Sequence, residues 1–314
     1  MSPSSKSGPR GVFSAVLTPF ADDLSLDLPA YLAHCRWLLA NGCDGIAALG
    51  TTGEANSLSL AERLAVLEAL TAAGVAGEKL ILGTGSCALP DAVALTRRAV
   101  ALGSPHVLVL PPFYFKNPSE DGLYAYYARL IEGVKSDALR VYLYHIPQTS
   151  AVAIPHNLIL RLRKDFGPVL AGAKDSALDL ANMLAMLKLV PDFHLFSGSE
   201  TLLLPLLEAG GVGCITAGSN IFPAATAKAY ALWRAEGASD AAKAAQADLT
   251  AKRKSLDGAP QIPVMKSLLA RARDASPWAN VRPPFLPLGD AETDAAIGRA
   301  SSLDLASLVE KTGR

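Results

Sequence analysis

The stretch Val169-Leu170-Ala171-Gly172-Ala173-Lys174-Asp175-Ser176 is a short apolar run with one lysine near its end. Gly167-Pro168 bounds it on one side and polar residues on the other, a pattern that predicts a buried strand. Buried strands rarely carry a lysine, because an ammonium taken out of water without a partner is costly. Strand alternation assigns Leu170, Gly172, Lys174 and Ser176 to one face and Val169, Ala171 and Ala173 to the other. On that assignment Gly172 leaves open space on the lysine's own face. A lysine with room around it, at the carboxyl end of a buried strand, is a candidate amine nucleophile. The competing reading is a lysine that reaches the surface along its stem or pairs with a carboxylate such as Asp175.

Outward from this run, the same kind of segment recurs. Residues 11–17, 45–50, 80–85, 106–110, 140–146, 169–176, 194–198 and 213–217 are eight candidate strands. Between and after them lie amphipathic helical patterns at 28–39, 60–73, 90–102, 122–134, 154–162, 178–188, 201–209 and 224–233. Strand–helix alternation repeated eight times predicts an α/β fold, a (β/α)8 TIM barrel. The rival, a doubly wound open sheet, has fewer strands and a glycine-rich phosphate turn after the first, and Leu17-Thr18-Pro19-Phe20 is no such turn. The barrel is expected over 11–236. Helical patterns at 239–256, 263–274 and 290–311, with a proline-rich stretch at 282–287, predict a C-terminal helical extension over 237–314 packed on the barrel. Residues 1–10 are polar and are expected to be disordered.

Composition narrows the function classes. Half of the 314 residues are hydrophobic, enough for a large core. Lys+Arg and Asp+Glu are both 29, so no net field attracts nucleic acid or an anionic membrane. Cys35, Cys43, Cys87 and Cys214 are far apart and form no metal or redox spacing. No apolar run reaches membrane-spanning length, and no signal peptide stands at the start, so the cytoplasm is the expected compartment.

Catalytic groups of such barrels sit at the carboxyl ends of strands. Gly50-Thr51-Thr52-Gly53-Glu54 is a small-residue turn whose N–H groups and hydroxyls suit a carboxylate. Read alone, it is equally an ordinary βα turn in which a threonine or Glu54 caps the next helix. Tyr144 tops the fifth strand and reads either as a proton shuttle beside an amine or as a core tyrosine. His145 alternates to the other face. The remaining histidines form no triad or metal cluster.

Gly50-Thr51-Thr52-Gly53-Glu54, Tyr144-x-Ile146-Pro147 and Gly172-x-Lys174-Asp175 stand in the order and spacing of the dihydrodipicolinate synthase / N-acetylneuraminate lyase family. The likeness extends to Leu17-Thr18-Pro19-Phe20, to 117–124 and to 210–215, and spans roughly residues 11–235. The sequence thus resembles the class I pyruvate-dependent aldolases. The resemblance implies that Lys174 forms a Schiff base with pyruvate or another 2-oxo acid and that Tyr144 relays protons. It implies that Thr51 and Thr52 hold the carboxylate, Thr51 also linking to the tyrosine, and that Gly198 and Ile215 line the pocket. The partners implied are a 2-oxo acid and an aldehyde, with no metal or other cofactor. The assembly implied is a homotetramer, to which the aromatic cluster Phe113, Tyr114 and Phe115 is suited as an interface.

Two positions depart from the family. Its members commonly place a relay tyrosine in the loop after strand 4, reaching into a neighbouring subunit. Here Phe115 takes the second place of the family's Tyr-Tyr pair, and Tyr114 the first, so Tyr114 is the candidate substitute. Dihydrodipicolinate synthases also carry an arginine just after Tyr-x-x-Pro for the carboxylate of aspartate semialdehyde, and Gln148-Thr149-Ser150-Ala151 has none. A bidentate guanidinium–carboxylate pair is worth roughly 1.5–3 kcal/mol. The expectation is therefore a lyase or aldolase acting on a hydroxylated or sugar-derived aldehyde. The alternatives are 4-hydroxy-tetrahydrodipicolinate synthase itself and a 2-oxo-acid-binding barrel with little catalysis.

Overall fold

The computed structural model describes residues 8–257, 260–300 and 303–309. Eight parallel strands close into a barrel in sequence order, β1 pairing with β8. They are β1 Gly11–Ala15, β2 Gly45–Ala48, β3 Leu80–Gly83, β4 His106–Val109, β5 Arg140–His145, β6 Leu170–Asp175, β7 His194–Ser197 and β8 Gly213–Thr216. Each lies within its expected segment but stops short of its expected carboxyl end. At β2 the cause is local: Leu49 has φ 59°, a left-handed conformation that cannot continue a strand. The residues released from the ladder become the loops over the barrel mouth.

Helices α1 Leu28–Ala40, α2 Leu60–Ala72, α3 Leu89–Ala101, α4 Glu120–Val134, α6 His156–Phe166, α7 Leu180–Leu189, α8 Leu203–Glu208 and α9 Pro223–Glu236 surround the strands, with one extra turn of helix, α5 Pro147–Ser150, after β5. The strands are buried on both sides. Phe13, Ile81, Tyr142, Phe196 and Ile215 fill the barrel interior. Val12, Ile46, Leu80, Val107 and Leu143 join the helices in an outer cluster. Burial on both sides is why these strands read as continuous apolar runs rather than alternating ones.

β6 departs from strict alternation. Its register with β5 slips between Val141 and Tyr142, where Leu170 and then Gly172 pair with successive residues, leaving Ala171 as an extra residue. Leu170 consequently packs outward, in the helix-facing cluster, while Ala171 packs against the barrel interior. The expected placing of Leu170 on the face of Lys174 is thus corrected. So is the expected role of Gly172: a Cβ there would lie 2.0 Å from the carbonyl oxygen of His194 on β7. The glycine admits the neighbouring backbone, not the lysine. Gly172→Ala is expected to destabilise the fold by about 1–3 kcal/mol or more, because backbone must move. Urea titration reads this directly, and an unchanged midpoint would contradict it.

After the barrel come α10 Asp240–Lys254, α11 Gln261–Arg273 and α12 Asp290–Arg299. α10 lies on α9 and over the turn that follows β7, where Gln246 Nε2 donates to the carbonyl of Glu200 and Gln246 Oε1 accepts from Leu204 N. α11 is tied inward: Arg273 stacks over Trp37 and Trp278 and donates to His34 Nδ1. Burial, then the Arg273 charge, hold the His34 imidazole down at about 3 and therefore neutral. The last helix is shorter than expected. It ends at Arg299, and the chain turns so that Leu303 and Leu308 reach the core, with a 3-10 turn at Leu305–Leu308. Gly298, with low helix propensity, weakens the last turn of that helix. The end of that expected helix lies outside the described residues, as do residues 1–7 of the expected disordered segment. Residues 8–10 are described, and Pro9 is buried. No helix among the described residues is long and apolar enough to cross a membrane.

Candidate active site

The register of β5 and β6 puts Tyr144 beside Lys174. Both point into the mouth of the barrel. Lys174 is 4% exposed, and its Nζ donates to Tyr144 Oη at 3.3 Å while standing 4.4 Å from that ring's centroid. Thr51 Oγ1 meets the same phenol oxygen at 3.3 Å. Tyr144 therefore bridges the lysine and the turn after β2. Burial would raise its phenol, but the Lys174 charge and hydrogen bonds from Thr51, Lys174 and Ser176 outweigh it, so the net shift is below the usual tyrosine range. The lysine does not pair with Asp175. That carboxylate lies on the other face and accepts from Ala177 N at 2.8 Å and Asn182 Nδ2 at 2.7 Å. His145, also outward, accepts from Ile154 N through Nδ1.

The turn carrying Thr51 and Thr52 is tightly held. Glu54 N donates to Thr51 O and Ala55 N to Gly50 O, and Thr18 Oγ1 donates to Gly53 O at 2.8 Å. Glu54 sits at φ 52° at the start of the 3-10 turn Ala55–Ser57 without capping it. The capping reading of Glu54 is therefore corrected. α2 is capped instead by a reciprocal pair, Ser59 with Glu62.

These groups open onto a cleft of about 340 Å³. Thr51, Thr52, Tyr144 and Lys174 form its inner end, and Ile146, Gln148 and Thr149 follow β5. Ser176 and Leu178 follow β6, Gly198, Ser199 and Glu200 follow β7, and Ala217 follows β8. The extension closes the outer side with Arg253, Pro260, Gln261, Ile262, Met265 and Phe285. Of the residues named from sequence, the cleft gathers Lys174, Tyr144, Thr51, Thr52 and Gly198. Ile215 is not among its walls. It is fully buried in the barrel interior below, because its position on β8 falls within the packed layer rather than at the strand end. Tyr114 is not there either. It is 73% exposed, edge-on to Phe115 with ring centroids 5.3 Å apart, on a loop pinned outward by Lys116 Nζ donating to the carbonyls of Phe113 and Ser150. Within one chain Tyr114 does not reach the phenol of Tyr144.

Sequence reading missed three groups. Arg253 and Glu200 face one another across the cleft wall, Nε to Oε2 at 3.7 Å, and Arg253 Nη1 also donates to Asp257 at 2.6 Å. Arg253 belongs to the basic run Lys252-Arg253-Lys254, which reads as a solvated helix end. The third group is Lys266, which donates to Glu54 Oε1 at 2.9 Å with both side chains fully buried. Here a signal existed: Ile262-Pro263-Val264-Met265-Lys266 is an apolar run ending in a lysine, like the run at Lys174. Among the described residues no group of three or more His, Cys, Asp or Glu is placed to share a metal ion.

A (β/α)8 barrel with a buried lysine and a bridging tyrosine at its mouth defines the aldolase class that works through a lysine imine. Comparison with known proteins gives the family. The model of the dihydrodipicolinate synthetase family matches residues 8–299. A Chloroflexus aurantiacus protein described as an uncharacterized DapA-like lyase is 40% identical over 292 residues, covering 91% of this chain and 94% of the relative. A 4-hydroxy-tetrahydrodipicolinate synthase of Neisseria meningitidis serogroup C is 30% identical over 309 residues, covering 94% and 99%. Among solved structures, YagE of E. coli K12, a prophage protein of the dihydrodipicolinic acid synthase family determined with pyruvate, superposes with a TM-score of 0.83 at 25% identity, covering 93% and 97%.

The chain belongs to the dihydrodipicolinate synthetase family of class I pyruvate-dependent aldolases. It is a carbon–carbon lyase of the Schiff-base-forming kind. That sets aside the reading of a barrel that only binds 2-oxo acids.

Proposed function

We propose that Lys174 adds to the ketone of pyruvate or a related 2-oxo acid, that water leaves, and that the resulting iminium takes up the electron pair released when a bond at C3 breaks. Run forward, loss of a C3 proton gives an enamine that attacks an aldehyde. Run backward, the iminium of the longer 4-hydroxy-2-oxo acid breaks its C3–C4 bond as the C4 hydroxyl gives up its proton, releasing the aldehyde and leaving the enamine. Tyr144 carries protons between the amine, the departing hydroxyl and the substrate oxygens. Thr51 and Thr52 hold the 2-oxo acid carboxylate, and Gly198 lets Ser176 pack close beside it in the cleft wall, since a Cβ there would lie 2.0 Å from Ser176 Oγ. The observation that carries this reading is the buried Lys174 amine, 3.3 Å from the Tyr144 phenol and open to the cleft. Borohydride reduction in the presence of pyruvate, followed by mass mapping, tests it: the expected product is a 1-carboxyethyl secondary amine on Lys174, and an adduct elsewhere or none overturns it.

For the aldehyde, the reading of a hydroxylated fragment rests on the lack of a free guanidinium among the described residues of the cleft, while the named relative favours the alternative, aspartate semialdehyde. Gln148, where a synthase carries an arginine nearby, spends its Nε2 on the carbonyl of Ser176 at 2.7 Å. The guanidinium that does line the cleft, Arg253, already faces Glu200 and Asp257. A second reading, aspartate semialdehyde, is favoured by the name of the Neisseria relative and by the presence of Arg253 as an alternative partner for that substrate's carboxylate. A panel of aldehydes with pyruvate separates the two. With no free guanidinium, kcat/KM for aspartate semialdehyde is expected to fall about 10–100-fold below that of the best hydroxyaldehyde. Equal or better turnover of aspartate semialdehyde would establish the synthase reading instead. Assembly as a homotetramer belongs to the same proposal, supported by the exposed Tyr114 and Phe115 on one loop, and light scattering on the purified chain tests it.

A further inference from the structure

A pair of groups outside the cleft bears on the reaction. Glu54 follows the Thr51-Thr52-Gly53 turn directly, in a left-handed conformation that non-glycine residues seldom adopt. Its carboxylate is completely buried and is claimed by the extension from two sides. Lys266 of α11 donates to Oε1 at 2.9 Å, and the backbone N of Arg282 donates to Oε2 at 3.1 Å. The ring of Phe20, next to the β1 loop, lies under both cations, 4.4 Å from Lys266 Nζ and 4.6 Å from the Arg282 guanidinium. The Arg282 side chain then bonds the carbonyls of Leu24 and Ser57 and the carboxylate of Glu62, clamping the segments before and after the turn. On the inner side, Thr18 holds Gly53. A buried ion pair contributes little net stability, since removing both charges from water offsets their attraction. A strained backbone beside one is the usual company of a functional site. The strain and the pair meet two residues from Thr52.

We infer that Lys266 and Glu54 are positioning residues, through which the C-terminal extension fixes the threonine turn that receives the 2-oxo acid carboxylate. Neither touches the cleft. Burial draws the Lys266 amine down to about 8, as befits an ammonium kept charged only by its one carboxylate partner. The inference rests on the reading of Thr51 and Thr52 proposed above.

Lys266→Met tests it, with the double variant Glu54→Gln/Lys266→Met as companion, because the double change leaves no unpaired buried charge and so protects folding. A turn displaced by about an ångström costs up to about 100-fold in productive binding. The pyruvate KM of either folded variant is therefore expected to rise about 10–100-fold, with kcat at saturating pyruvate changed far less and the aldehyde KM within about twofold. A folded variant whose pyruvate KM stays within about twofold of wild type overturns the inference, as does a variant that loses only thermal stability. Borohydride trapping of the wild type with pyruvate, run alongside, keeps the two claims apart. An adduct on wild-type Lys174 with unshifted variant KM defeats only the positioning role, and no adduct on the wild type defeats both.

Discussion

Lys174→Ala is expected to abolish trapping of pyruvate by borohydride and to lower carbon–carbon turnover by about 10⁴-fold or more, since it removes the atom that forms the covalent intermediate. The fold should survive. The lysine makes one hydrogen bond, to Tyr144, and the inner core beneath it is complete without it. Circular dichroism and a thermal melt on the variant check that the loss is chemical. The cleft retains Thr51, Thr52 and Tyr144, so a 2-oxo acid is still expected to bind weakly and reversibly, measurable by calorimetry. Undiminished turnover in this variant would remove the basis of the imine mechanism.

Tyr144→Phe is expected to lower kcat about 10²–10⁴-fold, the range for loss of a positioned acid–base group. The phenol lies between the Lys174 amine and the Thr51 hydroxyl, so its removal also breaks the link from β2 to β6. The sign of the pH dependence follows from the charge beside it. The phenol titrates below its usual range. As pH rises through that lowered value, Tyr144 loses the proton it must give to the departing hydroxyl, and the rate falls. The phenylalanine variant should lack that alkaline decline, and a wild-type and variant pair with identical high-pH limbs would contradict the relay. Imine formation should slow but not vanish, because water reaches the cleft.

Much of this is legible in the sequence. The eight apolar runs are eight strands because strands buried on both faces need no polar positions. Lys174 and Tyr144 stood out because each is a polar group at the end of such a run. Alternation failed inside β6, where one extra residue at Ala171 shifted the phase and sent Leu170 outward. It also mistook Gly172 for empty space, because a missing side chain in sequence does not reveal what backbone comes to fill it. Ile215 was placed one layer too high for a related reason: the depth of a residue in a closed barrel depends on strand stagger, which no single segment contains.

The sequence by itself determined the barrel, the order of its strands and the lysine on the sixth, since these follow from local periodicity and from the high cost of an ammonium in an apolar run. Only the tertiary structure decided which distant groups meet. Lys266 joins Glu54 across 212 positions, Arg253 arrives at the cleft from a helix beyond the barrel, and Tyr114 turns away from the site of its own chain. Periodicity reports how a segment faces its surroundings within a few residues. A buried charge finds its partner through the closure of the whole fold, where the need to satisfy that charge, and not proximity along the chain, selects the contact.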